Sequence, residues 1–157
     1  MPIPVSTVPL AIAAMTSQIQ TQVNTGEGSN AAAVAVFTGD EDINRPNDRI
    51  IVGTMVNRTV TDEAFLGSLQ TGSVEERYTV DVLVSSYSGD PDGVANMNRA
   101  WVLVGYVEEA VRTDPTLGTT VLIARPAATK DGQSYWTTSP VGRQCDIVVS
   151  ILVDTLN

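Results

Sequence analysis

The chain has 157 residues, a formal net charge of -9, no histidine and a single cysteine, Cys145. That length suits one domain, and a hydrophobic share of 43% supports a packed core rather than a disordered chain. An acidic surface repels phosphates and anionic lipid, which argues against a tight nucleic-acid or membrane-surface binder. The missing histidine removes the Ser-His-Asp and Cys-His nucleophiles, and one cysteine cannot form an internal disulfide.

Residues 1–6 read as a short extended arm, kept out of a helix by Pro2 and Pro4. No basic residue precedes the apolar part, so a secretion signal is not expected, and no apolar run is long enough to span a membrane. Thr7 is a candidate N-cap with Pro9 near the helix start. Val8, Ile12, Met15, Ile19 and Val23 then recur at helical spacing until Asn24-Thr25-Gly26 ends the helix. Ala31–Phe37 is a short β-type run, followed by the acidic turn Asp40-Glu41-Asp42. Arg49–Arg58 is apolar through most of its length and predicts a central strand.

A long connection, residues 59–73, follows and carries Phe65, Leu66 and Leu69. The next stretch alternates, with Tyr78, Val80, Val82 and Val84 on one side and Arg77, Thr79, Asp81 and Ser85 on the other, as a half-buried strand does. It is expected to pair with the strand before it. Asp90-Pro91 then reads as a helix start, with Asp90 as N-cap. Met97, Ala100, Val104, Val107 and Val111 form the inward stripe, widened by Trp101, Leu103 and Ala110; Asn98, Arg99, Glu108, Glu109 and Arg112 face away. After Asp114-Pro115-Thr116-Leu117-Gly118 come a fourth strand over Thr119–Arg125, a short strand over Gln133–Thr138, and a last strand over Gly142–Thr155. The order helix, three strands, helix, three strands predicts an α+β fold, a mainly antiparallel sheet with two helices packed on it, as one domain over residues 1–157.

Few residues invite chemistry. Cys145 falls on the apolar side of the last strand, where a buried, inert thiol is expected. No phosphate-binding glycine pattern occurs, and Asp40-Glu41-Asp42 lacks the alternate spacing of a calcium loop. That cluster reads as a solvated turn or as a contact surface for basic groups. Phe65, Leu66 and Leu69 either fold back on the core or form an apolar patch that meets another subunit. Tyr135 and Trp136 pose the same choice, since aromatic side chains anchor interfaces. The expected interface residues are therefore Phe65, Leu66, Leu69, Tyr135, Trp136, Asp40, Glu41 and Asp42. No catalytic, metal or cofactor-binding residue is expected.

The strand–turn–helix RYTVDVLVSSYSGDPDGVANMNRAWVLVGYVEEAVRT, the break at Thr113–Gly118 and the closing strand GRQCDIVVSILVDT resemble the tail-terminator (tail-completion) proteins of long-tailed bacteriophages. The likeness is one of pattern and runs from about residue 7 to the end. It implies a structural virion protein of the phage neck, assembled in the host cytoplasm and not an enzyme. Such proteins form a six-membered ring on the head-proximal end of the tail tube. The ring ends tube polymerisation and offers a docking surface to the head connector. The implied partners are other copies of the chain, the major tail tube protein and a head-completion protein, with DNA passing through the lumen unbound. Two other readings stand beside it. One is a neighbouring ring, a stopper, adaptor or tube protein. The other is a small α+β ligand-binding domain, which needs a deep pocket with convergent polar groups.

Overall fold

The structure, a computed structural model, describes residues 6–39, 46–62, 74–89, 93–127, 133–139 and 142–156. Helix α1 spans Val8–Glu27 and runs into a short 3-10 helix, Gly28–Ala33. Strands β1 (Val34–Thr38), β2 (Asp48–Asp62) and β3 (Val74–Ser88) follow. Helix α2 spans Gly93–Thr113, and β4 (Ile123–Pro126), β5 (Gln133–Ser139) and β6 (Gly142–Leu156) complete the order. The predicted element order and the α+β class hold.

The sheet runs β1-β2-β3-β6-β4, and β5 lies on the same edge of β6 as β4, further along. All pairings are antiparallel except β1 with β2. A short apolar run such as Val34–Phe37 announces a strand but carries no mark of its direction, so the parallel pair was not legible in the sequence.

Alternation decides which side each strand buries. Val80 lies between Val56 and Ile151, Val82 between Val52 and Val149, and Val84 between Ile50 and Ile147. These residues face α1 and α2. The helices close the core with Ala11, Met15, Ile19 and Val23 from α1, and Ala100, Leu103, Val104, Val107, Ala110 and Val111 from α2. The residues expected in the core from β3 and β6 are buried there, Cys145 included, as are Ala100, Leu103, Val104, Val107, Ala110 and Val111 of α2, while Met97 is partly buried. Burial pushes the Cys145 thiol up from its ordinary value, as a structural cysteine requires. Val107 and Val149 are 0% and 5% exposed. Truncating either to alanine is expected to cost about 1–3 kcal/mol in chemical denaturation, from lost burial and the cavity left behind.

Several boundaries shift for local reasons. Helix α1 continues past Gly26 to Glu27, and the ring of Tyr106 lies against that glycine. A Cβ there would sit 2.4 Å from Tyr106 Cε1. The run Ala31–Ala33 belongs to the 3-10 helix rather than to a strand, as the weak β preference of alanine allows. In β2 the pairing with β3 slips between Val52 and Met55. Gly53 takes the extra step at φ 82°, a conformation side chains resist. The fourth strand begins only at Ile123, because Asp114 ties the preceding residues into a turn. Its carboxylate accepts hydrogen bonds from Thr116 N–H, Thr116 Oγ1 and Gly118 N–H at 3.1, 2.6 and 2.7 Å. The expected helix start at Asp90-Pro91 lies outside the described residues.

Two expectations for α2 fail. Trp101, expected in the buried stripe, is 44% exposed. Arg99, expected to face away, bridges two elements instead. Its Nη1 donates to Glu27 Oε1 at 2.7 Å and its Nε to Asp48 Oδ2 at 2.8 Å. Tyr106 adds a bond to the same Glu27 oxygen, and Ser86 donates to Asp48 Oδ1. Periodicity put Arg99 on the polar side correctly; it could not show that the end of α1 and the start of β2 would lie there. Arg99→Ala leaves both carboxylates without their cation. Charge-assisted hydrogen bonds of this kind are worth about 1.5–3 kcal/mol, so a loss of roughly 2 kcal/mol is expected in denaturant titration. Arg99→Lys should recover little of it, because a single ammonium lacks the fork that reaches both partners.

Candidate assembly interface

The residues expected at an interface fall into three groups. Phe65, Leu66 and Leu69 lie in the connection between β2 and β3, outside the described residues, and so do Asp40, Glu41 and Asp42. Tyr135 and Trp136 are in β5, where their backbones pair with Asp146 and Cys145 of β6; their side chains are outside the description. What the structure does show is where these segments attach and what surrounds the points of attachment.

The β2–β3 connection leaves from Asp62 and returns at Val74, and those two residues pair with one another. That end of the sheet also carries the end of β6 and the start of β4. Exposed large apolar side chains gather there: Val60 at 43%, Leu122 at 56%, Ile123 at 40% and Leu156 at 50%. Leu10, one turn into α1, is 65% exposed. An apolar set of this kind on one pole marks a contact surface more readily than the same residues scattered singly.

The start of α1 is fixed to this pole by Glu76, which has a fully buried side chain. No side chain of its own N-cap residue, Thr7, caps the helix, and the first turn holds no acidic residue. Glu76 supplies both functions from β3. Its Oε2 accepts from Thr7 N–H and Thr7 Oγ1, each at 3.0 Å, and its Oε1 from Ser6 Oγ at 2.5 Å and from Arg58 Nε. Thr7 Oγ1 also meets the Tyr78 hydroxyl at 3.0 Å. A carboxylate at a helix N-terminus is favoured by the orphan N–H groups and the helix dipole. Burial alone pushes the Glu76 carboxyl up. The bonds from Ser6, Thr7 and Arg58 outweigh burial and hold it at about 2. Glu76 was not singled out in the sequence. A lone acidic residue on the apolar-facing register of a strand was the signal available.

The face of the sheet away from the helices is divided. Toward one end Arg49, Ile51, Asp81, Ser85, Asp146 and Ser150 are buried, with Ser150 Oγ donating to Asp81 Oδ1 at 2.5 Å. Toward the apolar pole the face is open, with Met55 at 55% exposure and Arg77 held by Asp154 at 2.5 Å. Alternation put Asp81 and Ser85 on the outer side of a half-buried strand, and that expectation is corrected: both are buried, as are their β6 neighbours Ser150 and Asp146. Among the described residues no group of three or more His, Cys, Asp or Glu side chains can hold a metal ion, and no helix is long and apolar enough to cross a membrane.

No family model matches the chain, and no curated protein matches it. Among solved structures it is similar to a chain from the virion of a native gene transfer agent (GTA) particle, at 8% identity and a TM-score of 0.34. That match covers 88% of this chain and 93% of the other. A likeness this shallow carries no argument about what the chain does.

Proposed function

We propose that the chain is a structural phage virion protein that forms a ring on the head-proximal end of the tail tube, ends tube polymerisation and presents a docking surface to the head connector. The support is the resemblance of the β3–α2 unit and of β6 to the tail-terminator proteins. One observation of the structure carries the reading further. The apolar pole bearing Val60, Leu122, Ile123 and Leu156 is also where the connection containing Phe65, Leu66 and Leu69 leaves and rejoins the sheet. A permanent contact with a tube ring needs such a surface, since lasting interfaces are the more apolar ones. By the resemblance the ring is six-membered, located at the virion neck and assembled in the host cytoplasm. Its partners are its own copies, the major tail tube protein and a head-completion protein. DNA passes through the lumen without specific binding, as the net charge of -9 favours. The protein carries out no catalysis and holds no cofactor.

The test is a double substitution, Phe65→Asp with Leu66→Asp, introduced into the phage. Two carboxylates cannot be desolvated in an apolar contact without a partner. The purified variant is expected to keep the melting temperature of the parent, while tails grow past their normal length and fail to join heads. Tails of normal length, joined to heads, would return both side chains to their own core.

A further inference from the structure

The helices cover one face of the sheet, and toward the apolar pole the other face is open. The outer surface of α2 is equally unusual, since a surface helix is ordinarily polar and charged on its solvent side. Asn98, Trp101, Val102 and Gly105 lie there, exposed and without a charge among them. Among the described residues, a Cβ on Gly105 would meet nothing within 4 Å. Glycine weakens a helix interior, and the subunit's own packing does not ask for one here. A gap beside an exposed tryptophan, on a charge-free surface, has the make-up of an interface centre. We infer that this side of α2 packs on the open sheet face of a second copy of the chain, with Trp101 as its anchor.

Charge and spacing select this occupant. One turn beyond Gly105, Glu108 and Glu109 share a single cation, Arg112, at 3.1 and 3.8 Å. The surface of α2 therefore carries one carboxylate more than its arginine balances. On the open sheet face Arg77 is engaged by Asp154 and Glu75. Arg125 is exposed and, among the described residues, makes no ion pair. Ile123 and Arg125 stand opposite Asp154 and Leu152 of β6 and so share that face. Gly105 and Glu109 are about 6 Å apart along the helix. Ile123 and Arg125 are about 6.6 Å apart along β4. With β4 of one copy laid along α2 of the other, Ile123 enters the gap over Gly105 while Arg125 reaches Glu109. Ile123 then belongs to the contact between copies, and Val60, Leu122 and Leu156 are left to the pole. A two-fold contact of α2 with α2, or of sheet with sheet, would leave that carboxylate and Arg125 both without a counter-charge. Helix on sheet is a heterologous contact, and such contacts generate rings or open fibres. A closed ring follows only with the proposed function; the contact itself does not depend on it.

Sedimentation of the full-length protein tests the contact. Trp101→Glu and Ile123→Glu, both at exposed positions, are each expected to weaken the association of the parent by roughly tenfold or more and to keep its melting temperature. Each variant retains one working surface, so an equimolar mixture of the two is expected to form mixed dimers. Glu109→Arg and Arg125→Glu should each weaken association as well, and the double variant should recover it. If either glutamate variant melts early, the charge swap decides alone. A mixture that stays monomeric, a double charge swap that recovers nothing, or a monomeric parent would overturn the inference. Association of Ile123→Glu by itself at the strength of the parent would overturn it in favour of a two-fold contact through α2. Rings of the parent without mixed dimers of the variants would overturn the helix-on-sheet contact and leave the proposed function standing. Open fibres of the parent, with mixed dimers of the variants, would support the contact and overturn the ring.

Discussion

Replacing Glu76 with alanine is expected to lower stability by roughly 3 kcal/mol, at the low end of the 3–5 kcal/mol typical of a broken buried ion pair. The low end applies because Arg58, with 43% of its side chain exposed, can turn to water once its partner is gone. Thr7 N–H and the Ser6 and Thr7 hydroxyls lose their acceptor at the same time, and the first turn of α1 loses its anion. Amide exchange should accelerate at Thr7 and at Ala11, the first amide bonded within α1, and stay unchanged in the middle of α2. The same group sets a dependence on pH. A carboxyl held at about 2 in the folded chain, against an ordinary value of 4.5, stabilises fully above the ordinary value. That stability drains away as pH falls through the interval toward 2. A gap of this size corresponds to on the order of 3 kcal/mol. Glu76→Gln should therefore flatten the fall in stability between about pH 5 and pH 2.5 seen in the parent. Parallel curves for parent and variant, together with a loss below about 1 kcal/mol for the alanine variant, would show that Glu76 does not fix the start of α1.

Leu103→Ala is the second large effect, expected at about 2–5 kcal/mol. Leu103 is 0% exposed on the inner side of α2, and the core it belongs to is mostly valine, isoleucine and alanine, with Met15, Leu117, Cys145 and the aromatic Tyr78 among them. Branched side chains anchored on strands have little freedom to move into the vacated volume, so most of the cavity should persist. The loss should appear as a lower denaturation midpoint with an unchanged slope. A loss below 1 kcal/mol would mean that the two layers collapse onto one another more freely than their packing indicates.

What the chain revealed in advance follows from the kind of signal each element carries. Strands β3 and β6 and helix α2 were legible because their apolar residues recur at the period of the element and face the core, from Tyr78 to Val84, from Ala100 to Val111 and from Cys145 to Val153. Strand β4 was misplaced by four residues because Asp114 organises a turn through contacts with Thr116 and Gly118 that apolar patterning does not register. Arg99 and Glu76 share a different cause. Both are polar residues whose roles depend on an element distant in sequence, the end of α1 for one and its beginning for the other. The buried polar side of the sheet, with Asp81 and Ser150 bonded to each other, was hidden for the same reason: alternation separates two sides and does not say which of them meets water. Of the interface residues named from sequence, only the backbones of Tyr135 and Trp136 fall among the described residues, on the open edge strand β5. The exposed apolar pole itself had no sequence signature, because Val60, Leu122 and Leu156 are neighbours only through the register of the sheet.

Electron microscopy of the purified full-length protein, with its mass measured in solution, tests the central claim most directly. The account predicts closed single rings of uniform size that neither stack into tubes nor elongate when concentrated, and that bind the end of an isolated tail tube. Long tubes formed by the protein alone would assign it to the tube instead. A monomer at all concentrations that leaves tube ends bare would contradict the account altogether.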